Sequence, residues 1–97
     1  MNQYATTARR HWERWLPQRF QSIPNPTEFF ADLGEQVESQ IEDLEVKLAG
    51  DDPPGESYLT KVGRLTNARH RAEEIVLREM VLLAPEPSAA EAESTSR

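Results

Sequence analysis

The longest regular pattern in the chain runs from Pro26 to Gly50 and reads PTEFFADLGEQVESQIEDLEVKLAG. Its large apolar residues recur every three or four positions and share one side of an α-helix: Phe30, Leu33, Val37, Ile41, Leu44 and Leu48. Such a narrow stripe is typical of a helix that packs along one long neighbour, as in a coiled coil. Asn25 and Pro26 are suited to begin the helix, and Gly50 is suited to end it. The sequence therefore predicts a helix over residues 26–49.

A second long helix is predicted downstream. The run Gly50-Asp51-Asp52-Pro53-Pro54-Gly55 marks a turn, and helix-forming residues follow it from about 56 to 83. Arg69 interrupts the apolar face of this helix, which consists of Tyr58, Val62, Leu65, Ala72, Val76, Met80 and Leu83. Because a short turn joins two long helices, we expect a coiled-coil-like antiparallel hairpin with Leu48 near Tyr58. Arg69 would then pack its stem in the hairpin and reach a carboxylate of the preceding helix.

The N-terminal segment predicts a short helix over residues 4–16, capped by Thr6 or Thr7. Pro17 would kink or restart this helix, since it cannot donate a backbone hydrogen bond. Both tryptophans of the chain, Trp12 and Trp15, lie on it, and large aromatic side chains anchor helices to their neighbours. We expect this aromatic helix to pack on the open end of the hairpin. A hairpin alone has little core, so either this helix or a second chain must complete it.

The expected architecture is thus all-α, with one helical domain over residues 1–83 and a disordered acidic tail over 84–97 that contains no aromatic residue. The chain has no cysteine, which excludes disulfides, thiolate metal sites and a cysteine nucleophile. It has no apolar run of the roughly 20 residues that span a bilayer, and its N-terminus lacks a signal-peptide pattern. A cytoplasmic protein without a membrane partner is expected.

The formal net charge of -6 is distributed unevenly. It is +3 over residues 1–24, -8 over 25–52, +1 over 53–83 and -2 over the tail. Acidic side chains spaced three or four apart on one helix repel each other. The acidic face is either solvated, neutralised by cations of the third helix, or bound by a basic partner.

The residues that carry catalysis are sparse. The two histidines, His11 and His70, lie on different predicted helices and not in a metal-binding spacing. There is no glycine-rich phosphate loop and no Gly-x-Ser-x-Gly nucleophile motif. We therefore expect no enzymatic activity, no cofactor, no metal and no small-molecule substrate.

Three stretches carry a family resemblance: residues 29–35 (FFADLGE), 51–56 (DDPPGE) and 62–65 (VGRL). Over residues 8–83 the chain resembles small helical proteins of actinobacterial phages and mobile elements. The resemblance implies an accessory or regulatory role and carries over neither an activity nor a site.

The sequence therefore favours a non-enzymatic helical interaction or regulatory protein that presents an aromatic and apolar face to a protein partner, or to a second copy in a homodimer. The candidate partner-binding residues, which could equally be internal core, are Trp12, Trp15, Phe20, Phe29, Phe30, Leu77, Val81 and Leu82. The alternative is a nucleic-acid-binding accessory protein that uses two basic patches: Arg9, Arg10, Arg14, Lys61, Arg64 and Arg71. An acidic mimic of nucleic acid, built on the 26–49 helix, is a further alternative.

Overall fold

The computed structural model describes residues 2–87 and residue 89. This part of the chain is mostly helical and contains no β-strand, which confirms the all-α prediction. Its four helices are α1 (Gln3–Trp15), α2 (Pro17–Gln21), α3 (Pro26–Ala49) and α4 (Tyr58–Met80). None of the helices in the described ranges is both long enough and apolar enough to cross a membrane.

The helix α3 has the predicted bounds because both of its ends are determined locally. The Asn25 side chain accepts a hydrogen bond from the Glu28 backbone at 3.3 Å, and Pro26 occupies the first turn. Gly50 follows the last residue with a φ of 65°, a conformation that glycine adopts without strain. The inner face of α3 buries Phe30, Val37 and Ile41 completely.

The helix α4 packs against α3 and is shorter than predicted, beginning at Tyr58 and ending at Met80. Its N-terminus is capped by Ser57, whose side chain accepts a hydrogen bond from Thr60 at 3.2 Å. The contacts between the two helices run in opposite order along the chain: Arg64 binds Ala49, whereas Arg69 binds Glu45 and Glu38. The expectation that Arg69 reaches an α3 carboxylate is confirmed.

The predicted register of Leu48 beside Tyr58 is wrong. Tyr58 is 78% exposed, and Leu48 instead lines a groove with Thr60, Gly63 and Arg64. The physical reason lies where the two helices meet. The Arg64 guanidinium of α4 donates a hydrogen bond to the carbonyl of Ala49, the last residue of α3. This bond places the second turn of α4, rather than its first, beside the end of α3.

The helix α1 packs across α3 and is capped by Asn2, rather than by the predicted Thr6 or Thr7. The Asn2 side-chain oxygen accepts a hydrogen bond from the Ala5 backbone at 2.9 Å, and its amide nitrogen donates to the Gly34 carbonyl at 2.8 Å. Ala5, Ala8 and Gly34 are all buried. Small residues at this crossing let the two backbones approach closely.

The segment that follows α4 binds α1 and α2. The Trp12 indole nitrogen donates to the Val81 carbonyl at 3.0 Å, and the Glu86 backbone donates to the Trp15 carbonyl at 2.8 Å. The Glu86 carboxylate accepts hydrogen bonds from the backbone of Gln18 and Arg19, at the start of α2. Glu86, which lies in the segment predicted to be a disordered tail, thus contacts the helical domain. The predicted tail beyond residue 86, apart from residues 87 and 89, lies outside the described residues.

Candidate interaction surface

The eight aromatic and apolar residues predicted to bind a partner occupy different environments in the structure. Three of them, Trp12, Phe30 and Val81, are buried in the core. Trp15, Phe20 and Leu77 are half-buried, whereas Phe29 and Leu82 are exposed. Only part of the predicted partner-binding face is therefore exposed on the surface of the protein.

The aromatic residues Trp12, Phe20, Phe29 and Phe30 contact one another around the buried Phe30 ring. The Trp12 ring meets the Phe30 ring edge-on at 5.5 Å, and the Phe29 ring meets the Phe30 ring edge-on at 5.0 Å. The Phe20 ring stacks on the Phe30 ring at 5.9 Å. Such ring pairs add stability beyond the burial of their area. The aromatic helix α1 thus completes the core within one chain, as one of the two sequence-based alternatives proposed.

The residues predicted to contact nucleic acid are mostly engaged within the protein. On α1, Arg9 pairs with Glu13 at 3.0 Å, and the Arg14 guanidinium lies 4.8 Å from the centre of the Trp15 ring. On α4, Lys61 pairs with Asp52 at 2.6 Å.

Of the other three residues predicted to contact nucleic acid, one is engaged within the described part of the protein and two are not. Arg64 is engaged by the loop before α4. Arg10 and Arg71, one on α1 and one on α4, are exposed and make no ion pair in the described part of the chain. The structure does not bring the six cations together into one patch that is free to bind phosphates.

A different apolar surface is exposed at the beginning of α4. Tyr58 is 78% exposed, Leu59 80%, Val62 41% and Leu65 37%. Tyr58, Val62 and Leu65 are spaced four and three residues apart on one helical face, and Leu59 adjoins them. We call these four residues the tip surface. Three of them, Tyr58, Val62 and Leu65, were predicted to lie in the interior of the hairpin, and none of the four is among the predicted binding residues.

The tip surface is exposed because α1 is too short to cover it. Its 13 residues extend about 20 Å, whereas the 23 residues of α4 extend about 35 Å. The covered region extends to Arg69, whose guanidinium donates to the Tyr4 hydroxyl oxygen at 3.2 Å. On the far side of Arg69, Ala72 and Val76 are buried. The apolar face of α4 is thus covered from Ala68 onward and uncovered from Tyr58 to Leu65.

Arg69 also forms ion pairs with three acidic residues, two on α3 and one on α4. It lies 3.3 Å from Glu38 and 3.2 Å from Glu45 of α3, and 3.1 Å from Glu73 of its own helix. Burial alone would lower the pKa of Arg69, but the hydrogen bonds to Glu38 and Glu45 raise that pKa above its usual value. The arginine therefore stays charged and holds together carboxylates that would otherwise repel each other.

Ion pairs organise the loop that precedes the tip surface. Arg64 binds Glu56 through two nitrogens at 2.9 and 3.0 Å, and it binds Asp52 at 2.6 Å. Hydrogen bonds from Lys61 and Arg64 lower the pKa of Asp52, and the bond from Arg64 lowers the pKa of Glu56. The charges beside the tip surface are consequently paired with each other.

The region around the tip surface is electrically neutral in an acidic protein. Residues 46–65 hold three cations (Lys47, Lys61 and Arg64) and three acids (Asp51, Asp52 and Glu56). Residues 26–45, by contrast, hold seven acids and no cation: Glu28, Asp32, Glu35, Glu38, Glu42, Asp43 and Glu45.

Comparisons with protein-family models, with curated proteins and with solved structures find no match to this chain. Among residues 2–87 and 89, no group of three or more histidine, aspartate or glutamate side chains is arranged to hold a metal ion. The candidate site therefore depends on the exposure and the charge of the tip surface alone.

Proposed function

We propose that this chain is a non-enzymatic helical interaction protein that binds a protein partner through the tip surface. The observation that carries the proposal is the exposure of four large apolar side chains on the first two turns of α4. The largest contiguous apolar patch of a soluble protein, typically about 300–600 Å², is often a binding surface. A regulatory or accessory role, suggested by the sequence resemblance, is consistent with such a surface.

The proposed scaffold is an antiparallel, coiled-coil-like hairpin of α3 and α4. The apolar spacing along α3 and the opposite order of the contacts from α4 to α3 support this description. On this scaffold, α1 stabilises the end that contains Phe30 and Val81, while the loop pairs of Arg64 hold the other end. The tip surface would therefore be presented on a rigid element, so that a partner need not order it.

Nucleic-acid binding has weaker support. Lys61 and Arg64 already pair with Asp52, and Arg9 already pairs with Glu13. A phosphate group would have to compete with these carboxylates in a chain whose net charge is -6.

Site-specific photo-crosslinking tests the proposal. A photoreactive phenylalanine analogue is introduced at Leu59, in the tip surface, or at Glu79, which is exposed on the covered half of α4. Each protein is irradiated in an extract of the cells that encode it. We expect discrete protein adducts from position 59 and none from position 79. If position 59 gives no adduct, or if both positions give the same adducts, the proposed function is wrong.

A further inference from the structure

We propose that the tip surface binds a second copy of this chain, which would form a two-fold symmetric dimer through the first two turns of both α4 helices. This inference rests on the proposed function and names the partner. In such a dimer the same four residues, Tyr58, Leu59, Val62 and Leu65, lie on both sides of the interface. The surface must therefore be compatible with itself in both polarity and charge.

The charge of the chain limits where two copies can meet. Contact along the first twenty residues of α3 would bring together two helix segments that each carry seven acids and no cation of their own, and Arg69 of α4 pairs with only two of these acids, Glu38 and Glu45. Like charges across an interface oppose association. Around the tip surface the charges of residues 46–65 cancel, and Asp52 and Glu56 are already paired with Lys61 and Arg64. Two copies can therefore bring their tip surfaces together with no net charge over residues 46–65 and with Asp52, Glu56, Lys61 and Arg64 already paired within each copy.

The C-terminal segment of the same chain is not suited to cover the tip surface. Glu86 is held beside Trp15 and Gln18, at the end of the molecule where α4 finishes. Residues 87–97 (PSAAEAESTSR) contain no aromatic and no large aliphatic side chain. They cannot supply the apolar groups that four large side chains require.

The exposed area indicates a weak dimer. From their exposed fractions, the four side chains present roughly 500 Å² per copy, or about 1,000 Å² in a symmetric pair. That total is close to the lower limit of specific interfaces. We therefore expect a dissociation constant in the micromolar range, so that the oligomeric state changes with protein concentration.

Analytical ultracentrifugation of the full chain, from about 1 to 500 μM, tests the inference. The native protein should change from a monomer of 11.1 kDa to a species of twice that mass as concentration rises. The double variant Tyr58→Ser, Leu59→Ser should weaken dimerisation at least about tenfold. Both side chains are nearly free of intramolecular contact, so its helical content should be unchanged.

The matched control is Leu82→Ser, which removes an exposed apolar side chain at the opposite end of α4. Its dissociation constant should stay within about twofold of the native value. A native chain that remains monomeric at the highest concentration would overturn the inference, and so would a tip variant that dimerises like the native chain.

The two proposals can fail separately. If the native chain is monomeric but the photoreactive group at position 59 captures a different protein, the interaction function stands and the self-partner is wrong. If the chain is monomeric and position 59 captures nothing, both proposals are wrong.

Discussion

Replacing Gly34 with alanine should destabilise the protein, because α1 begins directly over this glycine. A Cβ atom at position 34 would lie 2.4 Å from the Asn2 side-chain oxygen, 2.8 Å from the Ala5 Cβ and 3.0 Å from the Ala5 backbone nitrogen. Two of these neighbours are a fixed methyl group and a backbone atom, neither of which can rotate away. The start of α1 would have to shift outward by about 1 Å to restore ordinary contact distances.

The expected magnitude combines opposing effects. Alanine in the middle of a helix stabilises it by roughly 1 kcal/mol relative to glycine. Overpacking costs about 1–3 kcal/mol, and disruption of the Asn2 cap costs about 1 kcal/mol more. The net loss in the free energy of unfolding is about 1–3 kcal/mol, which lowers the melting temperature by about 5–15 °C in a domain of this size.

Gly63 provides a matched control because it lies inside α4 with open space around it. Apart from its chain neighbours and the backbone of its own helix, no heavy atom lies within 4 Å of the position that its Cβ would occupy. Gly63→Ala should therefore stabilise the protein by about 0.5–1 kcal/mol, through helix propensity alone. Urea unfolding of both variants, followed by far-ultraviolet circular dichroism, measures the two changes. If Gly34→Ala is at least as stable as the native protein, the described approach of α1 to α3 is wrong.

Three further perturbations test the ion pairs and the charge distribution. Arg69→Met should lower the free energy of unfolding by about 1–3 kcal/mol, since it leaves three carboxylates without their shared cation; an unchanged urea midpoint would contradict this role. Arg64→Met should reduce stability at pH 7, and its difference from the native protein should shrink as the pH falls below about 4. The sign follows because the folded pKa values of Asp52 and Glu56 are lowered, so the stability they contribute is lost as these groups take up protons, whereas the bond from Arg64 to the Ala49 carbonyl does not titrate; a difference that is undiminished at about pH 2 in urea titrations would contradict the prediction. Raising sodium chloride from about 0.05 to 0.5 M should raise the melting temperature, because salt screens the repulsion between the acidic side chains of α3 more than it weakens the exposed ion pairs. A melting temperature that falls in calorimetry would show that the ion pairs dominate.

Sequence patterns predicted those parts of the fold that depend on neighbouring residues. The bounds of α3 follow from Asn25, Pro26 and Gly50, all of which act within one turn of the helix ends. The start of α1 was predicted to within one residue, but its cap was not, because Asn2 is also selected by its hydrogen bond to the Gly34 carbonyl, a contact between residues distant in the sequence. The register between α3 and α4 was missed for the same reason, since Arg64 sets it by binding the Ala49 carbonyl.

The candidate site was harder to predict than the fold. Periodicity shows that a helical face is apolar, but not whether the chain itself covers that face. For Trp12 and Phe30 the sequence left partner binding and internal core as alternatives, and both residues are buried. Tyr58 and Val62 were predicted to lie in the interior of the hairpin, and both are exposed. One signal was present in the sequence: the predicted first helix was only about half as long as the two helices it had to cover.

The most direct test of the interaction surface is the change in backbone amide chemical shifts as the native protein is diluted from about 500 to 10 μM, a range that spans the expected dissociation constant. We predict that shifts change at residues 57–66, around Tyr58 and Val62, and stay constant at residues 26–37 of α3. Constant shifts throughout, or changes centred on Trp15 and Phe29 instead, would contradict the account.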